Sequence, residues 1–206
     1  MTKIRKGRIL KKRRWIYVIA GLLILGYTGL RIFKKINFNT RFTVGQKIDS
    51  LNNVFVFHNG GVDHVAGRNT TTDGYNLGLK YQCVEFVKRY YYEHLDHRMP
   101  DSYGHAKDFF DKTLTDGQKN QKRNLTQYTN PSKTRPRVDD LLVFSGTLFN
   151  RYGHVAIVAA VTDNEVEIIQ QNPGPSGTSR ASFRLDRKEG KWKIENTRIL
   201  GWLRKE

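Results

Sequence analysis

The chain has 206 residues, with 36 Lys and Arg against 19 Asp and Glu and a net charge of +17. That length allows one compact domain and an appendage, and a single cysteine excludes an internal disulfide or a Cys-rich zinc site. Spread evenly, such a charge would suggest nucleic acid or a membrane surface as partner. Instead, residues 1–41 hold twelve basic residues and no acid, leaving 24 basic residues against all 19 acids, a net +5, for the rest.

Eight of those basic residues precede the apolar run Trp15–Phe33. Its 19 residues would form about 28 Å of helix, close to the hydrocarbon thickness of a bilayer. A cleaved signal peptide shares this order of segments, but the run is long for one and no Ala-x-Ala site follows. The reading is a basic cytoplasmic tail over 1–14 and an uncleaved signal anchor over 15–33. The positive-inside rule then places the C-terminal domain outside the cytoplasm, on a single-pass membrane protein.

Residues 34–50 read as a tether and 51–206 as the folded domain. Leu51–Phe57 alternates as a strand, closed by a turn at His58-Asn59-Gly60-Gly61. A Gly- and Thr-rich loop over 58–80 leads to a helix beginning at or just before Cys83. Val84, Val87, Tyr91 and Leu95 give that helix one buried stripe on an otherwise charged surface. Residues 105–114 predict a second helix, and 115–137, with Pro131 and Pro136, an extended surface loop. From Val138 the pattern turns to strands, at 141–144, 153–161, 166–170, 182–185 and 199–203. Helices first and an antiparallel sheet second make the fold class α+β.

A thiol at a helix N-terminus faces unpaired N–H groups and the positive end of the macrodipole. Both favour a thiolate with a pKa below the free-thiol value of ~8.5. Most lone cysteines are small buried hydrophobes, so the position alone does not decide. In the hairpin over 154–172, a three-residue loop at Thr162-Asp163-Asn164 would set Val161 opposite Glu165. His154, Gln170 and Asn172 then share one face, an imidazole with amides able to orient it. Each alone has a structural explanation, and only their combination with Cys83 points to nucleophilic catalysis. His94 and His97 stand three apart on a charged helix end without a third ligand, so no metal or other cofactor is expected. Lys88-Arg89-Tyr90-Tyr91-Tyr92 needs no nucleic acid to explain it, since a half-buried helix accounts for it.

The blocks Tyr81-Gln82-Cys83-Val84-Glu85-Phe86, Asp140-Leu141-Leu142-Val143-Phe144, Gly153-His154-Val155-Ala156, Gln171-Asn172 and Leu200-Gly201-Trp202 resemble, in order, those of a CHAP domain. That family comprises cysteine, histidine-dependent amidohydrolases and peptidases of papain-like fold. Within it the chain most resembles the amidase domain of glutathionylspermidine synthetase/amidase. The resemblance implies Cys83 as nucleophile and His154 as base. It puts the third catalytic position, usually an acid, on Gln170, and suggests Asn172 as a polar helper. The expected function is a membrane-anchored thiol amidase or peptidase acting on cell-wall peptide (peptidoglycan). The alternatives are an amidase of a glutathionyl-polyamine conjugate and a catalytically weakened wall-binding module.

Overall fold

A computed structural model describes residues 2–175 and 177–206, with side chains from residue 13 onward. Helix α1 (Thr2–Phe33) runs through the basic tail, whose side chains up to Lys12 lie outside the described residues. Its Arg13–Phe33 stretch is long and apolar enough to cross a bilayer. Leu22, Leu23, Ile24 and Leu25 are all exposed, an apolar surface that the folded domain does not cover.

The segment after α1 is tied down more than a tether would be. The Asp63 N–H donates to the Lys34 carbonyl at 3.1 Å, and the Gly45 N–H to the His58 carbonyl at 2.8 Å. Strand β1 (Lys47–Leu51) begins inside the expected tether and pairs antiparallel with β2 (Val54–Phe57). The single strand expected over 51–57 is thus the second half of a hairpin. Asn52 and Asn53 break it, both at positive φ (49° and 65°), the signature of a tight two-residue turn that asparagine tolerates. The loop expected over 58–80 contains another hairpin, β3 (Arg68–Thr70) with β4 (Asn76–Leu79).

Helix α2 (Cys83–Glu93) starts where expected, but burial is not confined to one stripe. Every residue from Glu85 to Tyr91 is buried, charged ones included. The helix expected at 105–114 is only a 3-10 turn, Ala106–Phe109. The Asp108 carboxylate caps it through the His105 N–H at 2.9 Å, and Phe110 is already extended. The loop expected over 115–137 carries β5 (Gln118–Asn120) and β6 (Leu125–Thr129).

These two strands belong to the main sheet, with β7 (Leu141–Phe144), β8 (His154–Val161), β9 (Glu165–Ile169), β10 (Arg180–Lys188), β11 (Lys191–Ile194) and β12 (Ile199–Arg204). The strand order is β11-β10-β9-β8-β7-β12-β6-β5, with antiparallel neighbours throughout. Alternation along β7 splits the core in two. Leu141 and Val143 face α2 with Phe86, Val87, Tyr90 and Tyr91, while Leu142 and Phe144 face Val158, Ile168 and Trp202 on the other side. Leu185, Ile194 and Tyr128 close that second layer, and a bridge between Ser132 and Trp192 joins the curling ends.

The β8–β9 hairpin departs from its expected register at one end only. Val161 lies opposite Val166, not Glu165, so the loop is one residue longer than expected. A bulge between Val158 and Ala160 absorbs the extra residue. Val158 then lies opposite Ile168 and Ile157 opposite Ile169, the expected register, at the end that carries His154 and Gln170.

Candidate active site

The turn into α2 is sharp. Tyr81 adopts a left-handed φ of 58°, uncommon for a bulky residue, and its ring packs on Phe57 at 5.4 Å between centroids. Gln82 is the N-cap but makes no side-chain cap, so the first N–H groups of the helix stay open around Cys83. Across from it, His154 opens β8 directly after Gly153, whose φ is 77°. A Cβ on Gly153 would sit 2.5 Å from the Phe144 carbonyl oxygen, so this close approach needs glycine.

The His154 Nε2 lies 2.8 Å from Gln170 Oε1. Gln170 Nε2 donates to the Thr178 carbonyl at 3.1 Å, which turns the amide oxygen toward the ring. Because that oxygen only accepts, Nε2 carries the proton in the neutral ring and Nδ1 holds the lone pair. His154 is buried, and burial holds its pKa down to about 4; Arg198 adds to this, and only the Gln170 hydrogen bond opposes it. Burial likewise pushes the Cys83 thiol up to about 11, against the main-chain N–H groups of Val155, Val84 and Cys83. The loss of solvent thus works against the lowering expected from the helix-end field. Burial thus favours the neutral form of both groups.

Asn172 does not reach the imidazole. Its φ is 53°, and its Nδ2 donates to the Val62 carbonyl at 2.8 Å and to Gln82 Oε1 at 2.7 Å. It holds the residue before the thiol. Gln171, given no role in the sequence beyond its place in the Gln171-Asn172 block, is fully buried between the two halves of the site. It accepts the Phe57 N–H at 2.7 Å and donates to the Gln82 carbonyl at 3.1 Å and to Glu85 Oε2 at 2.9 Å. Glu85 in turn pairs with Arg89 Nε at 2.7 Å. A Glu and an Arg four residues apart just after Cys83 were a legible helix pair. The contact of Glu85 with Gln171 was not legible, since the alternation argument rested on Gln170 and Asn172.

A cleft of about 710 Å³ opens beside His154 and Gln170, with Phe144 and Phe183 in its wall. Among the described residues, Lys34 and Arg198 are its charged lining residues and no carboxylate lines it.

Burial of neutral His154 makes stability depend on pH. Its pKa falls from 6.5 unfolded to about 4 folded, so the unfolded chain takes up the proton first as pH drops. Stability should be full above pH 6.5 and fall by about 3 kcal/mol as pH descends to about 4. Denaturant unfolding of the wild type and of His154→Gln across this range should give a flatter acid limb for the variant. Parallel limbs would show that His154 does not titrate this way.

Residues 71–172 match the family model described as CHAP domain. Trypanothione synthetase of Crithidia fasciculata is 28% identical over 136 residues, which is 64% of this chain and 21% of that protein. The chain thus spans about a fifth of the curated relative it matches. Two solved structures of Ly7917, one with the hydrolyzing product of MDP, align over 61% of this chain and 53% and 54% of theirs. They are 15% and 16% identical, with TM-scores of 0.36 and 0.37, too low to argue from. Residues 71–172, which hold both Cys83 and His154, are thus a CHAP domain, of a family of hydrolytic amidases and peptidases.

Proposed function

We propose that the protein is a membrane-anchored thiol amidase or peptidase of papain-like arrangement, acting outside the cytoplasm on cell-wall peptide. The observation that carries this is the 2.8 Å contact of His154 Nε2 with Gln170 Oε1, on a histidine whose next residue, Val155, directs its N–H at the thiol of an uncapped helix start. With Nε2 engaged, Nδ1 is the basic nitrogen. As Cys83 Sγ attacks the amide carbon, Nδ1 takes the thiol proton and hands it to the departing amine nitrogen. Water, deprotonated by the same nitrogen, then attacks the thioester carbon and restores the thiol. Main-chain N–H groups of Cys83 and Val84 stabilise the oxyanion of each tetrahedral intermediate. Gln170 steadies the imidazolium by a dipole, more weakly than a carboxylate would.

The anchor is α1, with the basic tail keeping its start in the cytoplasm. Lys34 and Arg198 in the cleft favour substrates bearing carboxylates, as wall peptides do, and disfavour a polyamine conjugate. The engaged His154–Gln170 pair favours an active enzyme over a weakened binding module.

The direct test is mass spectrometry of peptidoglycan digested by the full chain in detergent. New peptide ends should appear, and undigested material would sink the substrate assignment. The pH dependence of kcat/KM on a cleavable amide tests the roles. Neutral His154 is the active form, so the acid limb reports its ionisation near 4. Gln170→Glu places a carboxylate beside the ring, favours the imidazolium and should move that limb to higher pH. Gln170→Ala should slow turnover by only part of the ~10²–10⁴-fold that general-base catalysis supplies. Superimposable profiles would make Gln170 a bystander.

A further inference from the structure

The loop between β7 and β8, residues 145–153, leads directly into His154. At its tip Leu148 is 92% exposed and Phe149 63% exposed, side by side. The tip is braced from within: Asn150 N–H donates to Thr147 Oγ1 at 3.0 Å, and Asn150 Nδ2 to the Gly153 carbonyl at 2.9 Å. Two large apolar side chains are therefore held outward by a built turn. That turn stands against the end of α1. Lys34 Nζ donates to the Phe149 carbonyl at 2.5 Å, and Phe149 shares a cleft wall with Leu30 and Phe33. Leu30 lies three residues, or about 4.5 Å of helix rise, inside the end of the apolar span. A loop at that depth beside a spanning helix meets lipid. Its flanks suit an interface, since Arg151 and Tyr152 are hydrogen-bonded at 2.9 Å and Lys34 and Lys35 follow the span.

We propose that Leu148 and Phe149 are seated in the bilayer that α1 crosses. The cleft beside His154 then opens at the membrane surface, toward amides carried on lipid-tethered chains. This rests on the reading of α1 as a spanning helix. The occupant is lipid because the tip is continuous with the end of the span.

The test uses the full chain in vesicles of phosphatidylcholine and phosphatidylglycerol. Cys83→Ser removes the native thiol, and an environment-sensitive fluorophore is attached at Leu148→Cys, Ile24→Cys or Lys188→Cys. The probes at 148 and 24 should show blue-shifted emission quenched by spin-labelled lipid, with shallow labels quenching 148 more strongly, and the probe at 188 should show neither. Quenching at 24 but not at 148 overturns the proposal and leaves the span standing. Quenching at neither removes the span and the proposal together. A blue shift at 148 without lipid quenching means that protein, such as a second copy, covers the tip, and this too overturns it. With Cys83 intact, Leu148→Ser/Phe149→Ser should lose the preference for a lipid-tethered peptide amide over the same peptide free in solution. An unchanged preference would refute the substrate part of the proposal.

Discussion

Replacing Cys83 with alanine should lower kcat/KM on any cleavable amide by on the order of 10⁶-fold, the loss seen when the nucleophile of a coupled set is removed. The fold should survive, because the change removes only one sulfur atom, from a residue that keeps some exposed surface although its sulfur is desolvated. Circular dichroism and the denaturation midpoint check that condition, and retained turnover in a folded variant would end the mechanism. The wild-type thiol should also reveal its resting state. With its pKa near 11, alkylation at neutral pH should be slow and should climb with pH until about 11. A plateau near pH 7 would instead indicate a thiolate–imidazolium pair before substrate arrives.

Glu85→Ala should destabilise the domain by about 3–5 kcal/mol, the cost typical of removing one partner from a buried ion pair. Glu85 is 1% exposed and Arg89 5% exposed. One carboxylate oxygen accepts Asn69 Nδ2 at 2.8 Å as well as Arg89, and the other accepts Gln171. Without Glu85 the guanidinium keeps the Phe55 carbonyl at 2.7 Å but loses its buried counter-charge. Glu85→Gln keeps an acceptor and should cost less. Urea midpoints in detergent would measure both, and a shift below 1 kcal/mol for the alanine variant would show that solvent replaces the carboxylate.

The sequence set Cys83 at a helix start and His154 and Gln170 on one face of a hairpin, and it did so by periodicity. Cys83 stood at the start of a 3.6-residue pattern, while His154 and Gln170 stood at matching parity in a hairpin. Parity survived a wrong loop length because the bulge before Ala160 restored the register. What stayed hidden lacks periodicity. Strands β3 and β5 are three residues each, too short to alternate visibly. The charged residues of α2 read as a solvated face, yet Lys88 donates to the Ser102 carbonyl at 2.8 Å inside the fold. Burial of a cation by distant carbonyls is a property of the assembled chain. Desolvation of the Cys83 sulfur was hidden for the same reason, since it is set by what packs around it.

The sheet order has a further consequence, for the time course of folding. Strand β12 is the last in sequence but lies inside the sheet, between β7 and β6, with Trp202 opposite both Leu142 and Tyr128. Until Ile199–Arg204 docks, β6 and β7 hold open edges toward each other, and β7 is an unbroken buried run, Leu141–Phe144. Such edges recruit other strands readily. Closing the gap joins segments far apart along the chain, a slow kind of step. The half-made domain is thus its own most vulnerable state, and it remains so until the final strand is in place.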